Sequence, residues 1–249
     1  MVSQTITNSW FQYCKNKPHA RLRLFCFPHA GGGASQFRLW GEKLPAFVEV
    51  YPVQLPGREE RMGEPPFTQL SALLPFLSEA IAPYLDKPFA FFGHSMGALI
   101  SFELARYHRQ CNLPMPQHLF VSAHRAPQLP RRHDRVHLLP HAELARAVDS
   151  LAGTPDELLN NAEAMQVFLP LLRADFTLCE TYSYTDEEPL ASSLSAFGGD
   201  MDDSVSYQEL DAWRLQTTGT FKLQMFPGNH FYLQKMEMSA LQRISQILS

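Results

Sequence analysis

The sequence predicts an α/β protein with a mostly parallel central sheet, helices on both faces of the sheet and a helical insertion. Short apolar runs of strand length alternate with longer segments whose apolar residues recur at helical spacing. Between Ala123 and Ser193 the alternation stops, and only helical patterns remain. In the middle of the chain, Gly93–Gly97 places a serine between two glycines, where an apolar run meets a helical one.

The apolar runs and the helical patterns define the predicted elements in chain order. A run such as LRLFCF is short, continuous and apolar, which is typical of a strand buried in a parallel sheet. The predicted strands are Leu22–Phe27, Val48–Leu55, Phe89–Phe92, His118–Ala123, Leu194–Phe197 and Phe221–Phe226. The predicted helices are Phe37–Leu44, Leu70–Leu85, Ala98–His108, His141–Leu151, Asp156–Asn161, Ala164–Tyr182 and Met236–Leu248.

The helical stretch in the second half predicts how the chain is organised. We expect a single domain over residues 1–249, with a helical lid subdomain inserted at residues 124–190. An insertion between two parallel strands lies over the carboxyl edge of the sheet, where function is usually found. A purely structural helical excursion is the alternative.

Composition excludes several classes of function. A formal net charge of −4 gives no basic face for nucleic acid, and no apolar stretch is long enough to span a membrane. The N-terminus lacks the basic and apolar regions of a secretory signal. The cysteines and histidines show no metal-binding spacing. We therefore expect a cytoplasmic protein with reduced thiols and no metal or other cofactor, and by default a monomer.

The pentapeptide Gly93-His94-Ser95-Met96-Gly97 fits the G-x-S-x-G nucleophile elbow. In that turn the serine takes a strained conformation between strand and helix, and the flanking glycines avoid clashes with both. The helix that follows directs its first N–H groups at developing negative charge. The pattern predicts Ser95 as a nucleophile and the Met96 amide as an oxyanion donor; a tight structural turn is the alternative.

A serine nucleophile needs a base and an acid, which follow it in the order Ser, Asp or Glu, His in this architecture. His230 comes directly after the last predicted strand, and the other histidines precede the last two strands or adjoin the serine. Three aspartates, Asp200, Asp202 and Asp203, follow the strand before it. The G-x-x-D turn favours Asp202 as the acid, with Asp200 as the second choice.

The glycine-rich loop PHAGGGAS follows the first predicted strand and fits the second half of an oxyanion hole. Its glycines allow close approach of a substrate to the backbone, and Ala30 is the expected second donor. A phosphate-binding loop is the alternative, but the Walker lysine and the G-x-G-x-x-G spacing are both missing.

With these residues in place, the chain resembles the type II thioesterases, stand-alone α/β-hydrolases that serve nonribosomal peptide and polyketide synthases. The resemblance runs nearly end to end and rests on stretches in the right order: FPHAGGGAS at 27–35, QLPGREER at 54–61, GHSMGAL at 93–99, LAGTPDEL at 151–158, LRADF at 172–176, FGGDMD at 197–202 and FPGNHFYL at 226–233. The resemblance implies a Ser95-Asp202-His230 triad, an oxyanion hole at Ala30 and Met96, and removal of acyl groups from the phosphopantetheine arm of carrier proteins. It also implies an inserted mobile lid over an acyl chamber.

Several alternatives stay open at this stage. An acyltransferase or cyclising thioesterase would use the same triad, as would a medium-chain fatty acyl thioesterase, whereas a non-catalytic binding protein would not need it. Four arginines at the start of the insertion could meet an acidic carrier protein or its phosphate, or lie in a solvated loop: Arg125, Arg131, Arg132 and Arg135. Arg58 and Arg61 could do the same, or be satisfied locally by the adjacent Glu59 and Glu60. Candidates for contact with the substrate are His29, Gly31, Met165, Val167, Phe168, Leu172, Phe176 and Phe231. For the residues of the predicted helix Ala164–Tyr182 among them, plain helix core is the alternative.

Overall fold

The central sheet has six strands, all parallel, in the order β2-β1-β3-β4-β5-β6. It belongs to a computed structural model that describes residues 8–130, 135–140, 143–146 and 162–249. The strands are β1 Leu22–Phe27, β2 Val48–Pro52, β3 Phe89–His94, β4 His118–Ser122, β5 Ser193–Gly199 and β6 Phe221–Phe226. The α/β architecture with a parallel sheet is therefore confirmed.

Helices connect consecutive strands, as the alternation of patterns predicts. The α-helices are α1 Trp40–Lys43, α2 Leu70–Ile81, α3 Met96–Gln110, α4 Ala162–Thr181, α5 Tyr207–Asp211 and α6 Leu233–Leu248. Short 3-10 helices lie at Ala34–Phe37, Glu59–Arg61, Ala82–Tyr84, Val136–Leu138 and Ala212–Gln216. The predicted helix Phe37–Leu44 is thus split into a 3-10 turn and a short α1, and α5 has no predicted counterpart.

Among the boundaries that differ from prediction, those of β2 and β3 bear on the site. Strand β2 ends at Pro52 rather than at Leu55, because Val53 forms an antiparallel bridge with Phe11 and the amide of Gln54 donates to the carbonyl of Trp10 instead of to β1. Strand β3 continues past Phe92 to His94, and the nucleophile position follows at once. The strand therefore delivers Ser95 at the carboxyl edge of the sheet.

Successive side chains along each strand pack alternately into two separate hydrophobic cores, one on each face of the sheet. On one face Phe25 and Phe27 of β1 join the apolar sides of α2, α3 and α5. On the other face Leu24 and Cys26 of the same strand pack with α1 and α6. The period of two along β1 explains why every residue of LRLFCF is buried.

The chain between β4 and β5 contains α4, the long helix of the insertion. Met165, Leu169 and Leu172 of this helix form a small core with Leu144, apart from the two cores of the sheet. Toward its C-terminus, Leu178 joins the core of the α3 face. The predicted helix Asp156–Asn161 and most of His141–Leu151 lie outside the described residues. Among the helices that are described, none is long and apolar enough to cross a membrane.

Candidate active site

The turn between β3 and α3 holds Ser95 in a strained conformation, with φ of 54° and ψ of −116°. Both flanking glycines are required by close backbone packing. A Cβ on Gly93 would lie 2.0 Å from the carbonyl oxygen of Gly97, and a Cβ on Gly97 would lie 2.1 Å from that of Phe27. The predicted strand–turn–helix context of the G-x-S-x-G motif is therefore present.

Ser95, His230 and Asp202 form one hydrogen-bonded row, as the sequence predicts for a catalytic triad. The Ser95 hydroxyl lies 2.9 Å from Nε2 of His230. Nδ1 of the same ring lies 2.8 Å from Oδ2 of Asp202. A carboxylate at Nδ1 favours the tautomer in which Nε2 accepts a proton from the serine. The arrangement can thus draw a proton from Ser95 toward His230.

Asp202 remains ionised in this setting because its hydrogen bonds outweigh its burial. Burial by itself raises the pKa of the carboxyl, but hydrogen bonds from His230 and Ser204 bring the net pKa below its ordinary value. The Ser204 amide and hydroxyl donate to Oδ1 at 2.8 Å and 2.6 Å. The second candidate, Asp200, instead accepts from the amide of Gly228 at 2.9 Å, in the loop that carries the histidine.

The sequence analysis does not identify Ser204, which donates to Oδ1 of Asp202 while His230 lies against Oδ2. Its hydroxyl also lies 3.0 Å from Nδ1 of His230, so it contacts both the aspartate and the histidine of the row. The only signal in the sequence is its position two residues after the aspartate, the spacing of an Asx turn. That spacing occurs in many loops and does not by itself indicate an active site.

His94, which adjoins the serine, points into the protein and is hydrogen-bonded elsewhere. Its Nδ1 lies 2.8 Å from the hydroxyl of Ser122, which lies 2.7 Å from the hydroxyl of Tyr232. Burial holds the pKa of His94 well below its ordinary value. A neutral, buried imidazole on the strand fits a structural role, and His230 stays the predicted base.

The glycine-rich loop after β1 forms a tight turn beside the serine. The amide of Gly32 donates to the carbonyl of His29 at 3.0 Å, and Gly31 between them has φ of +76°, which favours glycine. The amide of Gly31 donates to Oδ2 of Asp175 at 2.7 Å, so it is already engaged. Ala30 lies in this turn, and Met96 is the first residue of α3.

Two of the candidate acyl-contacting residues of α4, Phe168 and Leu172, lie against this turn. A Cβ on Gly31 would lie 2.7 Å from Leu172 and 2.8 Å from Phe168, so both side chains already touch its backbone. Met165 belongs to the same small core, and Phe176 packs against it. Val167 is 57 % exposed and is not part of this core as the structure describes it, so its place in a pocket stays a prediction.

His29 and Phe231 stack edge to face with ring centroids 5.0 Å apart, and Phe231 also packs on the ring of His230. The pKa of His29 is lowered, mainly because the ring is removed from water. The two rings therefore lie next to His230, and their contact with the substrate stays a prediction.

The arginines of the PGREER stretch are buried and do not form a surface for a partner. Arg58 forms a salt bridge with Asp175 of α4, and their side chains are only 4 % and 2 % exposed. Arg61 binds Glu64 and stacks over Trp10, with 4.2 Å from the guanidinium carbon to the ring centroid. Local compensation by the adjacent glutamates, the alternative in the sequence analysis, is also wrong for Arg58.

The structure describes two of the four arginines at the start of the insertion, Arg125 and Arg135. Arg125 donates to the carbonyl of Leu129 at 2.9 Å and also to that of Pro130. Arg135 is exposed. Arg131 and Arg132 lie outside the described residues.

A serine on a strained elbow, backed by histidine and aspartate at the carboxyl edge of a parallel sheet, defines a serine hydrolase of the α/β-hydrolase fold. Residues 22–248 match the model of the thioesterase domain family. The chain belongs to this family, whose members hydrolyse thioesters.

Named relatives and solved structures agree with this assignment. The chain is 49 % identical over 233 residues to the gramicidin S biosynthesis protein GrsT of Aneurinibacillus migulanus, covering 93 % of this chain and 91 % of that protein. The RedJ thioesterase of prodiginine biosynthesis in Streptomyces coelicolor superposes with a TM-score of 0.87 at 38 % identity, covering 93 % and 92 % of the two chains. The type II thioesterase BorB of the borrelidin cluster gives 0.88 at 35 % identity, covering 97 % and 98 %.

Proposed function

We propose that this protein is an editing type II thioesterase that acts, as a monomer, on phosphopantetheinylated carrier proteins of a peptide or polyketide synthase. It would hydrolyse stalled or wrong acyl groups and so regenerate the free thiol of the carrier. The observation that carries the proposal is the row of hydrogen bonds from Ser95 through His230 to Asp202, beside a helix of the insertion. The pathways named for the relatives support the choice of a synthase as the partner.

The first half of the reaction forms an acyl-enzyme. Oγ of Ser95 attacks the thioester carbonyl while Nε2 of His230 takes the hydroxyl proton. The charge that develops on the carbonyl oxygen is stabilised by the amides of Met96 and Ala30. The tetrahedral intermediate then collapses, the C–S bond breaks, and the imidazolium returns its proton to the departing pantetheine thiolate.

The second half releases the acid. His230 takes a proton from water, the resulting hydroxide attacks the acyl-serine, and the serine leaves with the proton from the histidine. Asp202 stabilises the imidazolium in both halves, because its lowered pKa keeps the carboxylate charged at neutral pH. The products are a free carboxylic acid and the carrier with its thiol restored.

Hydrolysis of an acyl-loaded carrier protein, beside the matching acyl thioester of N-acetylcysteamine, tests the proposal. Wild type, Ser95→Ala and Ser101→Ala are compared, with free acid and regenerated thiol both measured. Ser101 is the matched control because it lies on the same helix, is buried and, among the residues that the structure describes, donates its hydroxyl to the carbonyl of Ala98. We expect Ser95→Ala to lose at least about 10³-fold in turnover, and the carrier substrate to be preferred by roughly tenfold or more.

The other outcomes of this experiment would indicate a different activity, nucleophile or substrate. Formation of an amide or ester on adding an amine or alcohol, with no acid released, would make it an acyltransferase. Equal rates of hydrolysis for Ser95→Ala and Ser101→Ala would overturn the assignment of Ser95 as the nucleophile. Preference for medium-chain fatty acyl carriers over every other acyl group would replace the editing role with fatty acid release.

A further inference from the structure

A buried ion pair joins α4 to the glycine-rich turn, and the proposed reaction makes no use of it. Both terminal nitrogens of Arg58 lie 2.8 Å from the two carboxylate oxygens of Asp175, a bidentate pair from stretches 117 residues apart. The guanidinium also donates to the carbonyls of Pro56 and Gly32. Each charged group is thereby fixed in one orientation.

Asp175 also fixes the backbone next to Ala30 through a hydrogen bond. Its Oδ2 accepts the amide of Gly31 at 2.7 Å, while Arg58 donates to the carbonyl of Gly32 at 3.1 Å. Within the turn, the Gly32 amide donates to the carbonyl of His29. That carbonyl belongs to the same planar peptide unit as the Ala30 amide, so the turn fixes the direction of the proposed oxyanion donor.

Stability alone does not explain such a pair. Removing both charges from water is costly, and apolar residues of similar volume often stabilise a protein as well or better. A fixed, multiply bonded pair is, however, well suited to hold a loop whose glycines give it wide conformational freedom. We propose that Asp175, held by Arg58, is a positioning residue that sets the Ala30 amide for the oxyanion.

The same contact couples the turn to the helix that carries the candidate acyl contacts. Phe168 and Leu172 precede Asp175 on α4 and touch the backbone of Gly31. A shift of α4 by an ill-fitting acyl group therefore moves the carboxylate that holds the turn. Discrimination between acyl groups then falls partly on turnover and not only on binding.

Asp175→Asn is the primary test, and it rests on the proposed function. An asparagine cannot accept from Gly31 and from both arginine nitrogens, because its amide group donates. Glu49→Gln is the matched control: Glu49 also forms a buried salt bridge, with Arg23, but the pair lies near the start of β1, the end opposite to the turn. Activity is measured on an N-acetylcysteamine thioester, and affinity for an acyl trifluoromethyl ketone, whose tetrahedral adduct needs the oxyanion donors, is measured in parallel.

We expect Asp175→Asn to lower kcat by roughly 10- to 100-fold while KM stays within about threefold of wild type. The affinity for the trifluoromethyl ketone should fall by a factor similar to that of kcat. Glu49→Gln should change neither kcat nor inhibitor affinity. If Asp175→Asn does not fold, Arg58→Lys, which keeps the charge but loses the fork, is expected to change both quantities in the same direction.

The two proposals fail in different ways. A folded Asp175→Asn with the kcat and inhibitor affinity of Glu49→Gln overturns the positioning role, while Ser95-dependent turnover by the wild type leaves the proposed function intact. Turnover that survives Ser95→Ala overturns the proposed function itself, whatever Asp175→Asn does.

Discussion

Replacing Gly97 by alanine tests whether close contact between β1 and α3 sets the geometry of the active site. An added Cβ would lie 2.1 Å from the carbonyl oxygen of Phe27 and 2.8 Å from that of Pro28. Both are backbone atoms, so no side chain can rotate to make room. The strain must therefore move the first turn of α3 away from the end of β1.

The size of the movement follows from the contact. Real Cβ atoms essentially never come closer than 3.0 Å, so the oxygen 2.1 Å away requires a separation of about 0.9 Å. The two segments that separate carry the Met96 amide and the turn with Ala30. Misplacement of this order costs about 10²-fold in rate, and overpacking costs about 1–3 kcal/mol of stability.

The assay measures kcat on a short acyl thioester and the free energy of unfolding in urea for Gly97→Ala and for Gly63→Ala. Gly63 is the matched control, because a Cβ there meets nothing within 4 Å. We expect a loss of about 10²-fold in kcat for Gly97→Ala and an unchanged rate for Gly63→Ala. Rates within threefold of each other for the two folded variants would refute this account of the elbow.

Two further predictions concern the acid of the triad and the stability at low pH. Asp202→Asn should lower kcat by about 10⁴-fold, because the histidine then loses its orienting carboxylate, whereas Asp200→Asn should cost less than about tenfold; equal losses would contradict the assignment. Burial lowers the pKa of His118 from 6.5 to about 4, so between these pH values the unfolded chain binds a proton that the folded chain does not. Stability should therefore fall by about 2 kcal/mol between pH 7 and pH 5 from this residue, and His118→Gln should remove that part of the slope. Urea unfolding at both pH values measures it, and an unchanged slope in the variant would contradict the assignment.

The strands could be read from the sequence because the sheet is buried on both faces. Apolar runs such as Leu22–Phe27 have no solvent-facing residue and stand out from the polar segments around them. The ends of the strands are harder to predict, since the end of β2 depends on an antiparallel bridge to Phe11, a residue distant in sequence. The short helix α5 was missed because its five residues are too few to show a helical period.

The row of Ser95, His230 and Asp202 could be predicted because each residue is tied to a strand end, and the carboxyl ends of parallel strands meet at one edge. The partner of Arg58 could not be predicted in this way. The sequence around an arginine does not show which distant acidic residue pairs with it, and Asp175 lies 117 residues away. The sequence consequently suggested a surface role for an arginine that the fold buries.

Mass spectrometry of the enzyme quenched in acid during turnover tests whether Ser95 is the nucleophile. We expect an acyl adduct on the peptide that contains Ser95, of the mass of the acyl group supplied, and its absence from Ser95→Ala together with loss of turnover. An adduct on a different residue, or full turnover by Ser95→Ala without any adduct, would show that Ser95 is not the nucleophile.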